Sequence, residues 1–405
     1  MVIEQRRQRG YFATLARGMQ PNIVRQSNQR AILTLISMEH GLSNADLSRR
    51  TGLAPQTVSA VLDDLEQAGL LIRGEARRGG GRGQPAKPVD LNPSGAYSVG
   101  AEIGWSHIEV ALTDFSGHVM DHQRRNYSFP DATRVFADLA EMVAIVLRQL
   151  PAGASDRLIG LGLAAPGGIG DTSSLFTPPP RQAELWAKLD IVHEAEAATG
   201  LKAQLLNDGN AACWAEFVAH ASPRPGNFAF LLIDTFVAAG IIAEDRLWEG
   251  VTGASANLGS MLVTDRRGTP RFVHQIASLH ALRQRLEADG LTLETALGNT
   301  PPPEAQFVVS EWIEDASFAL AQTILNAATV LEFEFAVIEG ALPQPILGRL
   351  IEAVARRIVD VPSLGRSRPS VKLGHLGRSG AAQGAAQLRM YRRFYSRELA
   401  HMDVE

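Results

Sequence analysis

Asn207 and Asp208 set an amide directly before a carboxylate, at the end of the apolar run Ala203–Leu206. The amide donates and accepts and the carboxylate accepts, so the pair can bond neighbouring hydroxyls of a polyol. The same residues can instead cap a helix beginning near Gly209, and the residues alone leave both roles open. Gly167, within Pro166-Gly167-Gly168, offers either backbone donors or a plain turn. A second group lies far upstream. Pro55, Gln56, Thr57 and Ser59 lie at the start of a helix whose other face carries Val58, Val61, Leu62 and Leu65. A glutamine amide pairs bidentately with adenine, and the hydroxyls of Thr57 and Ser59 suit phosphate or base. Arg77, Arg78 and Arg82 are set among glycines, with Lys87 close behind. Arginines so placed can follow a narrow minor groove, because nothing bulky holds the backbone away. A flexible interdomain linker is the other reading of that stretch.

These side chains need elements to position them. Asn22 to about Met38 has a helical period, and Gly41 ends the turn that follows it. Ser43 can cap the next helix, with Asp46 three residues on favouring its N-terminus. Thr51-Gly52-Leu53 supplies a tight turn, and Pro55 falls in the first turn of the next helix, where a missing N–H costs nothing. Leu71–Arg73 and Pro88–Leu91 read as the two strands of a wing. The result is a winged helix-turn-helix over residues 22–92, preceded by a tail, 1–21. From Tyr97 onward, strands at Leu158–Ala165, Ala203–Leu206, Phe228–Ile233 and Ala336–Ile338 alternate with helical stretches, so residues 93–405 form an α/β body. Pro178–Pro180 and Pro301–Pro303 read as stiff surface connectors. Trp214 can line a cleft or a core.

Composition narrows the class. The chain has 405 residues and a formal net charge of −4. Residues 1–90 hold 13 Lys+Arg against 8 Asp+Glu, and the remainder 26 against 35, so a basic first domain precedes an acidic body. That polarity suits a module that meets double-stranded DNA while the body stays clear of phosphate. No run is long and apolar enough to span a membrane, and charges interrupt the N-terminal stretch where a signal peptide would be apolar, so a cytoplasmic protein is expected. The single cysteine, Cys213, permits neither an internal disulfide nor a thiolate metal site, and reads as a core residue.

Five blocks in order carry a resemblance over nearly the whole chain: the helix-turn-helix, Val99–Asp114, Gly160–Gly168 (GLGLAAPGG), Leu206–Glu216 (LNDGNAACWAE) and Ile233–Met261. A weaker sixth is Leu376–Ala386 (LGRSGAAQGAA). Together they resemble the ROK family (repressors, open reading frames and sugar kinases), and within it the repressors with an N-terminal winged helix. The resemblance implies an actin-like, two-lobed ribonuclease-H-type fold with a cleft, assembled as a homodimer or homotetramer. It also implies that Asn207 and Asp208 face a sugar, with Gly167 and Asn257 beside it.

The departures from the family pattern matter as much. Where its kinases have a first phosphate turn of Asp, two glycines and Thr, this chain reads Glu102-Ile103-Gly104-Trp105-Ser106. The second turn reads Asp234-Thr235-Phe236-Val237-Ala238-Ala239-Gly240, with Phe236 in the phosphate volume. Asp234 would repel a phosphate charge ~4 Å away by roughly 4 kcal/mol at an effective dielectric of 20. Phosphoryl transfer depends on positioning and charge neutralisation, so no kinase activity is expected. The family zinc ligands are missing too: Ser260 replaces the histidine, and Asp265–Phe272 holds no cysteine. Asn257 replaces the family's sugar-binding Glu. The expectation is a DNA-binding transcriptional regulator, a repressor, with no cofactor, no metal, a two-fold related operator and a sugar-like effector. The competing reading is an ATP-dependent ROK sugar kinase with a fused DNA-binding arm.

Overall fold

The computed structural model describes residues 20–74, 87–169, 178–179, 181–253, 256–361 and 367–397. Three helices open the chain: α1 (Pro21–Met38), α2 (Asn44–Thr51) and α3 (Pro55–Gln67). A capping box starts α2, Ser43 Oγ accepting from Asp46 N at 3.2 Å while Asp46 Oδ2 accepts from Ser43 N at 3.1 Å. Gly52, at φ 72°, ends that helix in the left-handed conformation and makes the turn. Strands β1 (Leu71–Arg73) and β2 (Val89–Leu91) pair antiparallel, Leu71 opposite Leu91, and form the base of the wing. Ile32, Leu33, Ile36, Leu47, Val58 and Leu62 fill the core between the helices.

The body contains two five-stranded sheets of the same topology. The first comprises β3 (Tyr97–Ile103), β4 (His107–Asp114), β5 (Val119–Asn126), β6 (Leu158–Ala165) and β7 (Ala203–Asn207), in the order β5-β4-β3-β6-β7. The second comprises β8 (Phe228–Ile233), β9 (Val237–Ala243), β10 (Arg246–Leu247), β13 (Phe335–Gly340) and β14 (Ser370–Leu373), in the order β10-β9-β8-β13-β14. Each is an antiparallel three-strand meander extended by two parallel strands. A hairpin of β11 (Leu262–Thr264) and β12 (Pro270–Phe272) stands apart, where the family zinc cluster would lie.

Helices α4 (Val135–Leu147), α5 (Gln182–Lys188) and α6 (Ile191–Thr199) belong to the first lobe. Helices α8 (His274–Ala277), α9 (Leu279–Ala288), α10 (Leu293–Leu297), α11 (Pro303–Leu331) and α12 (Gln344–Asp360) belong to the second. Between the sheets lie α7 (Asp208–Ala219) and α13 (Gly380–Phe394). Their packing is so close that a Cβ added at Gly384 would stand 1.8 Å from the Ala211 carbonyl oxygen. One at Gly100 would stand 1.9 Å from that of Ala382. Small residues therefore let α13 join both lobes.

The strands at Leu158–Ala165 and Phe228–Ile233 form as expected, and the two others are longer, by one residue in β7 and by three in β13. Pro301–Pro303 needs correction. Pro303 is the first residue of the 29-residue α11, where its missing N–H is harmless, so only Pro301 and Pro302 connect and the third proline starts a helix.

The helix-turn-helix core is completed by the body. Phe115 and Met390 are buried within it, with Ile159, Phe394 and Tyr395 packed alongside. Arg30 of α1, 6% exposed, donates to the carbonyl oxygens of Arg392 (3.3 Å) and Ser396, and Arg397 Nε donates to Ser27 Oγ at 3.1 Å. The first domain is thus fixed to the first lobe through the end of α13.

Candidate functional site

On α3, Val58, Val61, Leu62 and Leu65 turn inward, while Ala54, Pro55, Gln56 and Ala60 are exposed and Thr57 and Ser59 half-buried. No side chain caps this helix, so its first turn presents backbone N–H groups beside the exposed Gln56. The other half of the helix is acidic. Asp63 and Glu66 pair with Arg73, and Asp64 pairs with Arg25 at 2.7 Å. The N-terminal half of α3 is therefore the end suited to a phosphate-rich partner. Arg49 pairs with Asp46 and Arg50 with Glu39, so much of the positive charge counted in the sequence is neutralised within the domain. Lys87 is exposed at the start of the returning wing strand. Arg77, Arg78 and Arg82 lie outside the described residues.

The second candidate site lies where α7 starts between the two sheets, with Gly209 packed against Ala239. Asp208 opens α7 at the C-terminal edge of the first sheet, and its Oδ1 accepts from Gly209 N at 2.8 Å. Desolvation, with the nearby carboxylates of Glu102 and Asp234, pushes its carboxyl up to about 7. Glu102, at the end of β3, pairs with buried His107 at 3.2 Å. Burial opposes charge on His107, but Glu102 outweighs it and raises the imidazole above its ordinary value. Asn207 is the helix cap of α7, its Oδ1 accepting from Asn210 N at 3.1 Å, so the capping role holds for this residue. Asn210 Nδ2 in turn donates to Gly253 O at 3.1 Å and ties the facing loop to α7. Asn257 is exposed before the single turn Leu258–Ser260, and Gly167 is exposed with open space beside its Cα. The helix itself begins at Asp208, one residue before the expected Gly209.

The two turns that depart from the family's phosphate pattern each carry a ring, and the rings meet. Trp105 and Phe236 meet edge to face at 5.0 Å, and Phe236 also touches His274 and His280 at 5.6 and 5.5 Å. Val237 N, in the second turn, donates to His274 Nδ1 at 3.1 Å. That bond requires Nδ1 to be unprotonated, which puts the ring proton on Nε2, 3.3 Å from Ser260 Oγ. Desolvation holds His274 down at about 4, so the ring is neutral near pH 7. Sequence reasoning missed His274, because 37 residues separate it from Val237 and no local spacing marks it. Trp214 is resolved as core, packed against Phe217 and Tyr391, and Cys213 is buried.

Residues 98–391 match the ROK family and residues 23–83 the MarR family. An uncharacterized protein, y4fQ, of Sinorhizobium fredii is 26% identical over 92% of this chain and 93% of its own length. The xylose repressor of Bacillus subtilis is 30% identical, covering 59% of this chain and 61% of the repressor. The DNA-binding transcriptional repressor Mlc of Escherichia coli is 22% identical over 58% of each chain. The chain thus spans about three-fifths of the length of these two named repressors. Among solved structures, a ROK family transcriptional regulator, a homolog of the Mlc protein, superposes with a TM-score of 0.65 at 20% identity, covering 91% of this chain and 97% of its own. A Streptomyces griseus ROK glucokinase with glucose and AMPPNP gives 0.55 at 18% identity over 72% of this chain and 99% of its own. Both likenesses show the same fold.

Proposed function

The chain belongs to the ROK family, and from that premise we propose that it is a sequence-specific DNA-binding transcriptional repressor whose body senses a sugar-like molecule. The observation that carries this reading is the exposed, uncapped start of α3 on a winged helix built into the body. Gln56 reads a base edge, Thr57 and Ser59 bond phosphate or base, and Pro55 sets the helix start. Arg77, Arg78, Arg82 and Lys87 carry the wing's contact with the minor groove. One such helix reads few base pairs, so a homodimer or homotetramer presents two of them to a two-fold related operator in the cytoplasm.

The body works as a sensor and not as an enzyme. Trp105 and Phe236 occupy the nucleotide's phosphate space, and Glu102, Asp208 and Asp234 gather negative charge where a polyphosphate would need cations. A neutral polyol suits the same cleft. Asp208 and the Asn207 amide bond its hydroxyls, with Asn257 and Gly167 at the rim. Xylose, for which the Bacillus relative is named, is the first effector to try. Regulation requires that the sugar bind the DNA-competent and DNA-incompetent states unequally.

The test is to select bound sequences from random DNA with the full chain, then titrate the selected operator complex with aldoses. A shared two-fold sequence released by one sugar is the expected result. No enrichment of any sequence, or ATP-dependent formation of a sugar phosphate by the parent protein, would defeat the reading and restore the kinase alternative.

A further inference from the structure

Glu216, in the last turn of α7, and His220, the extended residue that caps its C-terminus, are four positions apart, and the two side chains meet at the opposite end of the helix from Asp208. Glu216 is 1% exposed, and its ion-pair partners among the described residues are imidazoles. His375, in the connection between β14 and α13, brings Nδ1 to 2.7 Å from Glu216 Oε1, while its backbone N–H donates to Oε2 at 3.0 Å. His220 Nε2 lies 3.3 Å from the same Oε1, is buried, and makes no hydrogen bond. One donor atom from each of the three residues lies within 4.8 Å of the others. The rings of Phe228 and Phe335 hold the His220 imidazole edge-on, and Glu339, 1% exposed, adds a second carboxylate beside the cluster.

We propose that Glu216, His220 and His375 form a zinc-class divalent metal site that clamps α7 to the connection leading into α13. Two imidazoles and one carboxylate are a borderline donor set, suited to zinc and its neighbours and not to calcium or magnesium. Metal–ligand distances of about 2.0–2.2 Å place tetrahedral donors roughly 3.3–3.5 Å apart. Glu216 and His220 already have that separation. The shorter His375 contact is the hydrogen bond that the metal replaces, the Nδ1 proton passing through solvent to Nε2. His375 is 51% exposed, so the fourth coordination position opens to water. The expectation of no metal followed from the single cysteine and from the missing family zinc ligands; His375 lies 159 residues from Glu216, so no local pattern joins these donors.

The experiment uses the full chain, stripped with EDTA and dialysed. Zn²⁺ is titrated by calorimetry and against a chromophoric chelator, and Co²⁺ is followed by its visible absorption. The parent should take up one Zn²⁺ per chain, gain a few degrees in Tm as metal linkage requires, and give a tetrahedral cobalt spectrum. His375→Ala keeps the backbone N–H bond to Glu216 and should fold, with a Tm somewhat below the metal-free parent's for the lost imidazole bond, and should bind at least tenfold more weakly, a loss typical of a disrupted metal shell. His375→Cys should restore binding, because a thiolate is a zinc ligand. No uptake by the parent, or unchanged affinity in a folded His375→Ala, would overturn the site and leave the three residues a buried hydrogen-bonded cluster.

Discussion

Trp105 and Phe236, from turns in different lobes, meet edge to face with ring centroids 5.0 Å apart. On the proposed reading, this pair takes the space that a nucleotide's phosphates would need. ATP with magnesium should therefore give no binding heat in calorimetry and no phosphorylated sugar by coupled assay. Trp105→Ala should cost about 1–2 kcal/mol in urea unfolding, the range for losing a half-buried aromatic contact, without creating ATP turnover.

Asp208 sets a pH dependence. Its carboxyl titrates at about 7 in the folded protein against an ordinary value of 3.8. Between those values the folded state holds a proton that the unfolded state has lost, so this residue's contribution to stability declines as pH rises from about 4 to 7. Asp208→Asn should remove that decline and make the protein more stable than the parent at pH 8, measured by denaturant titration at pH 5 and 8. The ionised form is the better acceptor for a sugar hydroxyl, so effector affinity in the parent should climb through pH 7, and Asp208→Asn should flatten the curve. Equal affinity at pH 6 and 8 in the parent would remove Asp208 from the binding pair.

His274 acts at lower pH. Its folded value of about 4 lies below the ordinary 6.5. The unfolded state therefore binds a proton first, and stability falls as pH drops from 6.5 through 4. His274→Ala should cost about 1–2 kcal/mol at pH 7 for the lost acceptor of Val237 N–H, and should weaken this acid limb. An acid limb identical to the parent's would assign it to other groups.

DNA recognition divides between helix and wing. Gln56→Ala should relax specificity at one base position of each half-site, at about 1–3 kcal/mol of discrimination. Arg82→Ala should weaken binding and lessen any preference for A·T pairs beside the half-site. Footprinting should show two protected half-sites about one helical turn, or a multiple of one, apart. A stable monomer protecting a single half-site would contradict the two-fold reading.

Local features were legible in the sequence because local spacing encodes them. The Ser43–Asp46 capping box, the Thr51–Leu53 turn and the strand Leu158–Ala165 all follow from neighbours within a few residues. The order of motif blocks sufficed for the two-lobed architecture. What sequence could not supply is whatever joins distant segments. His274 reaches Val237, Glu216 reaches His375, and Arg30 reaches Ser396, across gaps that no periodicity spans. The charge count misled in part for the same reason: Arg25 and Arg73 look available in sequence but meet Asp64, Asp63 and Glu66 in the fold. Asn207 illustrates a choice the sequence left open, and its oxygen caps α7.

The docking of α1 onto the end of α13 also bears on how the protein is made. Arg30 leaves the ribosome 362 residues before Arg392, its acceptor. During most of synthesis the helix-turn-helix therefore lacks Met390, Phe394 and Tyr395 from its core, and the nascent domain waits as a partly completed fold. A chain cut short before Tyr391 would lose the anchor at Arg392 and Ser396 and part of that core. Such fragments should be marginally stable and prone to proteolysis, so that a stop codon late in the reading frame yields little DNA-binding protein and not a working truncated repressor.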